Sequence, residues 1–281
     1  MELLTSTVRA QYNGTVIRDY LKRAMGLSVT LIKRVKYGGV FINGENVHMR
    51  AIVREGDAVE VRISDTEHSD IKPIPMPLDI IYEDKYLIAV SKPRGMPTHP
   101  SRGNSLPTLA EGIMAYFGTD FVFRAINRLD RDTGGIVVIA KDAHSAAKLS
   151  AGMKQGDYVK KYYAVVSGIP CPSEGRINAP IARECEGNIK RCVREDGKTA
   201  VTDYRVLSVN NGDALCEIML HTGRTHQIRV HMAYIGHPLK NDFLYGVREG
   251  DEQYMLHARE MEIKHPVSGE RLKLFSPADF E

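Results

Sequence analysis

The sequence has 281 residues, of which 43% are hydrophobic and 26% are charged. These proportions are ordinary for a globular chain with room for one large domain or two smaller ones. No segment approaches the roughly 20 apolar residues of a membrane span, and the first residues lack the basic start and apolar core of a signal peptide. We therefore expect a cytoplasmic protein without a membrane partner. The four cysteines show no Cys-x-x-Cys spacing, which predicts reduced thiols and no metal site.

The net charge of +3 is distributed unevenly along the chain. Residues 1–63 contain ten Lys and Arg against six Asp and Glu, a balance of +4, which leaves 28 against 29 for the rest. A small basic module joined to a nearly neutral larger one suggests an appendage that binds a polyanion. A charged surface without a partner is the alternative, and composition alone favours neither.

The basic N-terminal segment predicts several short elements. Residues 1–11 predict an edge strand or an arm, and an apolar i, i+3, i+4 pattern over 15–24 predicts a helix. A second short helix follows Ser28, a favourable N-cap. The pattern at 40–47 predicts a strand, an Asn-Gly turn and a second strand, and 58–63 predicts a third. Three cations fall on about one turn at the end of the second helix: Lys33, Arg34 and Lys36.

This order of elements resembles the alpha-L RNA-binding motif found in ribosomal proteins. The resemblance covers about residues 12–63 and implies a rigid scaffold that presents Lys33, Arg34 and Lys36 to RNA phosphates. Such contacts give an affinity that depends on salt and little on base sequence. Residues 64–76 are polar and then rich in proline, which predicts a linker between two domains.

The most informative stretch of the larger part begins with a charged run, Arg-Leu-Asp-Arg-Asp, at 128–132. It leads into 136–140, an apolar and mostly β-branched run that predicts a buried strand. Charge at the edge of a core is costly unless it is paired or used. If the run is extended, Arg128, Asp130 and Asp132 share one side, so two acids compete for one role. A hydrolase that cuts a glycosidic bond with this pair of carboxylates is one possible interpretation.

A second dense group of polar side chains lies at 221–232, His-Thr-Gly-Arg-Thr-His-Gln-Ile-Arg-Val-His-Met. Thr225 is a plausible N-cap, which would place Arg224 and Arg229 at the positive end of a helix dipole. An anion must compensate, and Asp130, an RNA phosphate or both would serve; Arg224 is therefore an RNA-binding candidate. The three histidines are spaced five apart, which spreads them around a helix axis and argues against a metal site.

Other parts of the chain give simpler patterns. Residues 78–91 predict two strands across a Glu-Asp-Lys turn, and Asp142 predicts the N-cap of a helix that ends at Gly156. Residues 160–168 alternate like a strand, in which two adjacent tyrosines face opposite sides. Residues 171–195 predict irregular structure with small clusters of charge and glycine.

These motifs resemble those of the RluA family of RNA pseudouridine synthases. Residues 127–135, Asn-Arg-Leu-Asp-Arg-Asp-Thr-Gly-Gly, are similar to the family's His-Arg-Leu-Asp-x-x-Thr-Ser-Gly, and Asn127 and Gly134 depart from it. Residues 160–168 are similar to its Lys-x-Tyr-x-Ala-x-Val-x-Gly strand. Residues 222–231 match its Thr-Gly-Arg-Thr-His-Gln-Ile/Leu-Arg-Val-His pattern in full.

The resemblance implies an α+β catalytic domain over residues 77–281, with a mixed, largely antiparallel central sheet, preceded by the small α/β RNA-binding domain. It implies isomerisation of uridine to pseudouridine in structured RNA, without cofactor or metal. Asp130 falls on the family's catalytic aspartate, which acts as a nucleophile or a base. Tyr162 falls on its active-site tyrosine, and Arg229 on the arginine that pairs with the aspartate. By the same analogy Arg128 enters the space left by the flipped base.

The substrate RNA is open at this point. The alpha-L-like module favours large-subunit ribosomal RNA over transfer RNA, and we expect a monomer. A non-catalytic RNA-binding or ribosome-assembly factor that retains the fold is the alternative function. Asn127 and Gly134 permit it, whereas the retained Asp130, Tyr162 and Arg229 argue against it.

Overall fold

The computed structural model describes residues 2–27, 29–63, 71–101, 105–247 and 253–281. These residues form a four-stranded sheet near the N-terminus and a ten-stranded sheet in the remainder, with helices packed on both. The predicted α+β class with a largely antiparallel central sheet is confirmed. Within the described ranges, no helix is long and apolar enough to cross a membrane.

The N-terminal region contains the elements that the sequence predicts there, with a short 3-10 turn between the first strand and the first helix. The predicted N-cap of the second helix, Ser28, lies outside the described residues. In chain order the elements are β1 (Glu2–Thr7), the 3-10 turn (Ala10–Tyr12), α1 (Ile17–Arg23), α2 (Val29–Val35), β2 (Val40–Ile42), β3 (Glu45–Asn46) and β4 (Ala58–Ile63).

The N-terminal region has a hydrophobic core of its own. Its sheet has the order β1-β4-β2-β3 and is antiparallel, with β1 at one edge as predicted. Alternate residues of β4 point inwards, and Val59, Val61 and Ile63 are at most 2% exposed. They meet Ile17 and Leu21 of α1, which are fully buried. Each such side chain contributes about 1.5–3 kcal/mol of transfer free energy, so the module is stabilised by its own core.

The larger region contains more strands than the sequence predicts. Its elements are β5 (Asp79–Glu83), β6 (Leu87–Lys92), α3 (Leu109–Phe117), β7 (Arg124–Ala125), β8 (Gly134–Ala140), α4 (Ala143–Gln155), β9 (Val159–Val166), β10 (Glu174–Asn178), β11 (Ile181–Arg183), β12 (Arg191–Val193), β13 (Val201–Asn210), β14 (Asp213–Leu220), α5 (Gln227–Tyr234), β15 (Leu256–Lys264) and β16 (Arg271–Phe275).

The large sheet has the order β10-β13-β14-β9-β15-β8-β6-β5, with β16 paired to β15 and β7 to β8. Among the described strands only β8 and β15 pair in parallel. Gly134 and Gly135 begin β8 at this pairing. Gly135 has φ +101°, and a Cβ there would lie 2.3 Å from the carbonyl oxygen of Ala258. The two glycines therefore allow β15 to approach the start of β8.

Strand β8 is the centre of the large core because both of its faces are covered. Val137 and Ile139 contribute to the cluster that contains α3, whereas Ile136 and Val138 contribute to the cluster that contains Leu149 of α4. This confirms the prediction of a buried strand and extends it to Gly134. The loop that precedes β8 carries Asp130, so the candidate catalytic residue is attached to the most deeply buried element.

The larger region departs from the sequence-based predictions in two places. Residues 171–195 are not irregular but contain β10, β11 and β12. Helix α3 was not predicted, although Thr108 and Glu111 form a capping box at its start. Residues 71–77 pack on α3, since the Ile74 amide donates to the Glu111 carbonyl over 3.1 Å.

Candidate active site

A cleft of about 980 Å³ opens beside β9 and α5. Five residues that the sequence analysis singled out line it: Asp130, Tyr162, Arg229, Arg128 and Arg224. They come from the loop before β8, from β9, and from α5 with its preceding loop. Separate motifs about 100 residues apart in sequence therefore meet in one cavity.

The loop before β8 forms a turn, so the condition that 128–132 is extended is not met. The amide of Thr133 donates to the carbonyl of Asp130 over 3.1 Å. Asp132 is buried, and Arg131 donates two hydrogen bonds to its carboxylate, at 2.8 and 2.9 Å. The side chain of Asp130 keeps 32% of its surface exposed. The two acids therefore do not compete, because only Asp130 is an accessible carboxylate.

Asn127 attaches this turn to β8. Its amide nitrogen donates to the Ile136 carbonyl, and its amide oxygen accepts from the Val138 amide, both over 2.9 Å. The side chain therefore continues the ladder that β7 makes with β8. A buried amide with two backbone partners is structural, which explains this departure from the family motif. At the other departure, a Cβ on Gly134 would lie 2.8 Å from Nδ1 of His257.

Lys92 supports the same turn from below. The side chain is fully buried, and its Nζ donates to the carbonyls of Pro93, Met96 and Arg131 at 2.9, 2.7 and 3.0 Å. Burial lowers the pKa of Lys92 to about 7, and the charges of Asp132 and Asp130 act in the opposite direction. Three carbonyl oxygens match the three N–H groups of an ammonium, so the geometry is that of the charged form.

Arg229 lies in the first turn of α5 and has two acidic neighbours. Its Nε and Nη2 donate to the Asp242 carboxylate, both over 2.7 Å, and its Nη1 lies 3.6 Å from Oδ2 of Asp130. Burial lowers the pKa of Arg229, but the bonds to Asp242 outweigh it and the net direction is upward. Asp242 is thus the main compensating anion, which the sequence analysis missed. The sequence signal for this anion was the pair Asp242 and Tyr245, three residues apart and beyond the end of α5.

The start of α5 also differs from the expectation. The N-cap is His226, not Thr225, and its backbone is left-handed with φ +57° and ψ +21°. Gln227 closes the preceding loop, since its amide oxygen accepts from the Arg224 amide over 2.9 Å and from the Thr222 hydroxyl over 2.8 Å. At an ordinary N-cap, a side chain that precedes the helix accepts hydrogen bonds from amides inside it. Here the direction is reversed, because a side chain inside the helix accepts hydrogen bonds from the preceding loop.

His226 and Tyr245 lie behind Asp130. The His226 Nε2 is 3.8 Å from Oδ2 of Asp130, and its Nδ1 is 2.7 Å from the Tyr245 hydroxyl. Burial lowers the pKa of His226, and Asp130 acts in the opposite direction. Burial also raises the pKa of Tyr245 to about 12. The sequence offered this histidine only as a possible metal ligand.

Two further tyrosines form the apolar part of the cleft. Tyr162 on β9 is 7% exposed, and its hydroxyl has no hydrogen-bond partner among the residues described. Burial raises its pKa, and the charge of Asp130 acts in the same direction. Its neighbour Tyr163 packs under Arg259 outside the cleft, as the alternation of a strand predicts. Tyr254, which the sequence analysis missed, places its ring 4.5 Å from the Arg229 guanidinium carbon.

The remaining basic candidates differ in their surroundings. Arg128 is exposed at the cleft without a partner in the described part of the chain. Arg224 is exposed and donates from Nε to the Thr199 carbonyl over 2.9 Å. The N-terminal candidates lie at the end of α2, outside the cleft: Lys33 and Lys36 are exposed, and Arg34 is half-buried.

The three histidines of the second motif point to different surroundings. His221 contacts Asp203, His226 faces the cleft, and His231 is fully buried between Thr202 and the Ala179 carbonyl. In the described ranges no group of three or more His, Cys, Asp or Glu side chains could bind a metal ion. All four cysteines are free thiols.

Comparisons with known proteins agree on one family. The family model described as RNA pseudouridylate synthase matches residues 86–234. RNA pseudouridine synthase YjbO of Bacillus subtilis is 37% identical over 90% of this chain and 92% of its own length. Ribosomal large subunit pseudouridine synthase D of Xanthomonas campestris is 35% identical over 86% of this chain and 78% of its own. The solved structure of human RNA pseudouridylate synthase domain containing 1 has a TM-score of 0.61 and 26% identity, covering 77% of this chain and 88% of that one.

Proposed function

This chain belongs to the RNA pseudouridylate synthase family, and from that premise we propose that it isomerises uridine in large-subunit ribosomal RNA with Asp130 as its essential carboxylate. The RluA-type resemblance is confirmed, and the protein is an RNA pseudouridine synthase. The observation that carries the role of Asp130 is its position. It is the accessible carboxylate of a turn attached to the core, and it faces a cleft with Arg229, Tyr162 and Arg128.

The reaction dictates what the cleft must do. The bond between the base nitrogen and the ribose is broken, the base turns, and a new bond forms through carbon 5. A stacked uridine cannot turn, so it must be flipped into the cleft at a cost of a few kcal/mol. A cavity of about 980 Å³ is large enough for a nucleotide and leaves room for rotation.

Each side chain of the cleft has a distinct role in this proposal. Asp130 acts on the ribose or the base as a nucleophile or a base, and Arg229 attracts its carboxylate from 3.6 Å. Tyr162 offers a ring for stacking against the flipped base and a hydroxyl for a hydrogen bond. Arg128, which is exposed and unpaired among the described residues, enters the space that the base vacates. Arg224 contacts a nearby phosphate.

The choice of ribosomal RNA has two supports. The separate N-terminal module presents Lys33 and Lys36 on its surface, which suits binding to the phosphates of a large folded RNA. Several relatives are named ribosomal large subunit pseudouridine synthase D, including those of Xanthomonas campestris and Pseudomonas aeruginosa. Action as a cytoplasmic monomer without metal or cofactor is part of the same proposal.

Chemical mapping of pseudouridine across total RNA tests the proposal directly. Cells that lack the gene are complemented with the wild type, Asp130→Asn or Asp132→Asn. We expect sites in large-subunit ribosomal RNA to disappear without the gene. The wild type should restore them fully, and Asp132→Asn at least in part. Asp130→Asn should lower turnover by at least about a thousandfold, because it removes the reacting carboxylate. Sites lost from transfer RNA instead would refute the substrate, and an active Asp130→Asn would refute the role of Asp130.

A further inference from the structure

Two groups of α5 and its N-cap approach the same oxygen of Asp130. Nη1 of Arg229 lies 3.6 Å from Oδ2, and Nε2 of His226 lies 3.8 Å from it. Oδ2 is the closest carboxylate oxygen in both ion pairs, and among the residues that the structure describes none forms a hydrogen bond with Oδ1. Both contacts are longer than hydrogen bonds, and such contacts in unliganded active sites often tighten when substrate binds. The two carboxylate oxygens are therefore inequivalent before the RNA arrives.

Tyr245 determines which nitrogen of His226 carries the proton. The Tyr245 oxygen accepts a hydrogen bond from the Arg191 amide over 2.9 Å, so its own hydrogen points elsewhere. The His226 Nδ1 is 2.7 Å away and is in position to accept that hydrogen. In a neutral imidazole, an Nδ1 that accepts leaves the proton on Nε2. Nε2 is the nitrogen that faces Asp130, so the histidine presents an N–H group to the carboxylate.

The surroundings keep this imidazole neutral. Burial lowers the pKa of His226, and the nearby guanidiniums of Arg229 and Arg191 act in the same direction. Asp130 and Asp242 oppose them, but the net direction is downward. A neutral N–H donor orients a carboxylate without placing a full positive charge beside it. The carboxylate therefore retains its reactivity while its orientation is restricted.

The backbone at His226 is adapted to this position. Its φ of +57° lies in the left-handed region, which is uncommon for residues other than glycine, although asparagine, aspartate and histidine are enriched there. Gln227, the next residue, is 2% exposed and is bonded to the Thr202 hydroxyl and to the Val201 carbonyl. The surrounding hydrogen bonds thus maintain an unfavourable conformation that directs the ring towards Asp130.

We infer that His226 is a positioning residue for Asp130. As its Nε2–H tautomer, selected by Tyr245, it acts with Arg229 to hold Oδ2 and leaves Oδ1 to react with the uridine. The inference rests on the proposed role of Asp130 and deepens it by assigning separate tasks to the two oxygens. It also gives Tyr245 a task, since the phenol acts on the carboxylate only through the imidazole.

The test compares two amides at position 226. In His226→Gln the amide nitrogen can occupy the position of Nε2 and donate to Asp130. In His226→Asn the amide reaches only the position of Nδ1, so the contact with Asp130 is lost. Asparagine tolerates the left-handed backbone better than glutamine, so a purely structural role predicts that His226→Asn is the milder change. A positioning role predicts the opposite order of activity.

The measurement uses the full-length protein and total RNA from cells that lack the gene. We expect kcat of His226→Asn to fall about ten- to a hundredfold, the loss expected for a hydrogen bond to a charged group. We expect His226→Gln to retain kcat within about threefold, which is the size of a neutral hydrogen-bond change. Thermal melting should show His226→Asn to be at least as stable as His226→Gln. KM should change little in either variant.

Tyr245→Phe supplies a second, independent measurement. It removes the hydroxyl that selects the tautomer of the imidazole, and glutamine has no such tautomers. The substitution should therefore lower kcat less in the His226→Gln background than in the wild type. Equal losses in both backgrounds, or a kcat of His226→Asn equal to or above that of His226→Gln, would overturn the inference. If the wild type itself forms no pseudouridine in this RNA, the proposed function is overturned, and that outcome is distinct.

Discussion

Arg229 in the cleft and the lysines of the N-terminal region are held in opposite ways. Arg229 is 4% exposed, is bonded twice to Asp242 and lies against three aromatic rings. Lys33 and Lys36 stand exposed on the N-terminal module, and the contact of Lys36 is with the exposed Tyr37 hydroxyl. A fixed guanidinium orients one carboxylate, whereas exposed ammonium groups on flexible stems can follow phosphates of varied position. The role of Arg229 therefore depends on its exact position, whereas the role of Lys33 and Lys36 depends on their charge.

The largest test of this contrast compares two bidentate pairs of the same type. Asp242→Asn should lower the free energy of unfolding by about 3–5 kcal/mol, because it leaves the Arg229 charge buried and unpaired. The matched control is Asp203→Asn. Asp203 accepts two bonds from Arg176 at 2.7 and 2.8 Å, but Arg176 is 61% exposed, so the loss should be at most about 1 kcal/mol. Urea unfolding measures both, and equal losses would show that burial is not the cause.

A second comparison uses asparagines in the two regions. Asn127→Ala should lower the free energy of unfolding by about 2 kcal/mol, since it leaves the buried backbone groups of Ile136 and Val138 without partners. Asn46→Ala is the control, because Asn46 is exposed and makes one bond, to the Val40 carbonyl. Its loss should stay near the small values of surface substitutions. A larger loss from Asn46→Ala would contradict the structural role given to Asn127.

Acid should destabilise the larger region through its buried histidines. Burial lowers the pKa of His231, as it does for His99, His144, His226 and His257. Below about pH 6.5 the unfolded chain takes up protons that the native chain does not, so stability falls as pH falls. Chemical unfolding at pH 7.5 and 5.5 should therefore show His231→Gln losing about 1 kcal/mol less than the wild type. A loss equal to that of the wild type would exclude His231 as a contributor.

The smallest effect is expected for the exposed cations. The double variant Lys33→Ala, Lys36→Ala should raise KM for RNA a few-fold at low salt and leave kcat unchanged. The slope of log KM against log salt should fall by about 1.5, the release of two counterions. Arg271→Ala, Lys273→Ala removes the same charge from β16, where both cations lie 3.5–3.7 Å from Glu262. Equal changes of slope in the two variants would mean that the N-terminal region has no special role.

Local signals account for the elements that the sequence predicts well. Helix α4 begins after Asp142 and ends at Gly156, as its cap residues indicate. Strand β4 has the predicted bounds because its alternation is regular. The short strands β10, β11 and β12 were missed because pairing, rather than local propensity, stabilises them.

The candidate site was predictable where a motif carries the residues and not where the tertiary structure supplies them. Asp130, Tyr162 and Arg229 lie in recognisable runs and line one cleft. Asp242 and Tyr254 carry no periodic pattern, and their proximity to Arg229 arises from the path of the chain after α5. The turn at Asp130 was not predicted, because an alternating charge pattern takes no account of a single hydrogen bond from Thr133.

Lys92 has a consequence for how this protein can vary. The three hydrogen-bond acceptors of its ammonium are all main-chain oxygens, from Pro93, Met96 and Arg131. A main-chain carbonyl is present whatever the side chain, so these hydrogen bonds do not restrict which residues replace Met96 and Arg131. Of the residues that meet in this contact, the lysine is therefore the one whose side chain the contact requires.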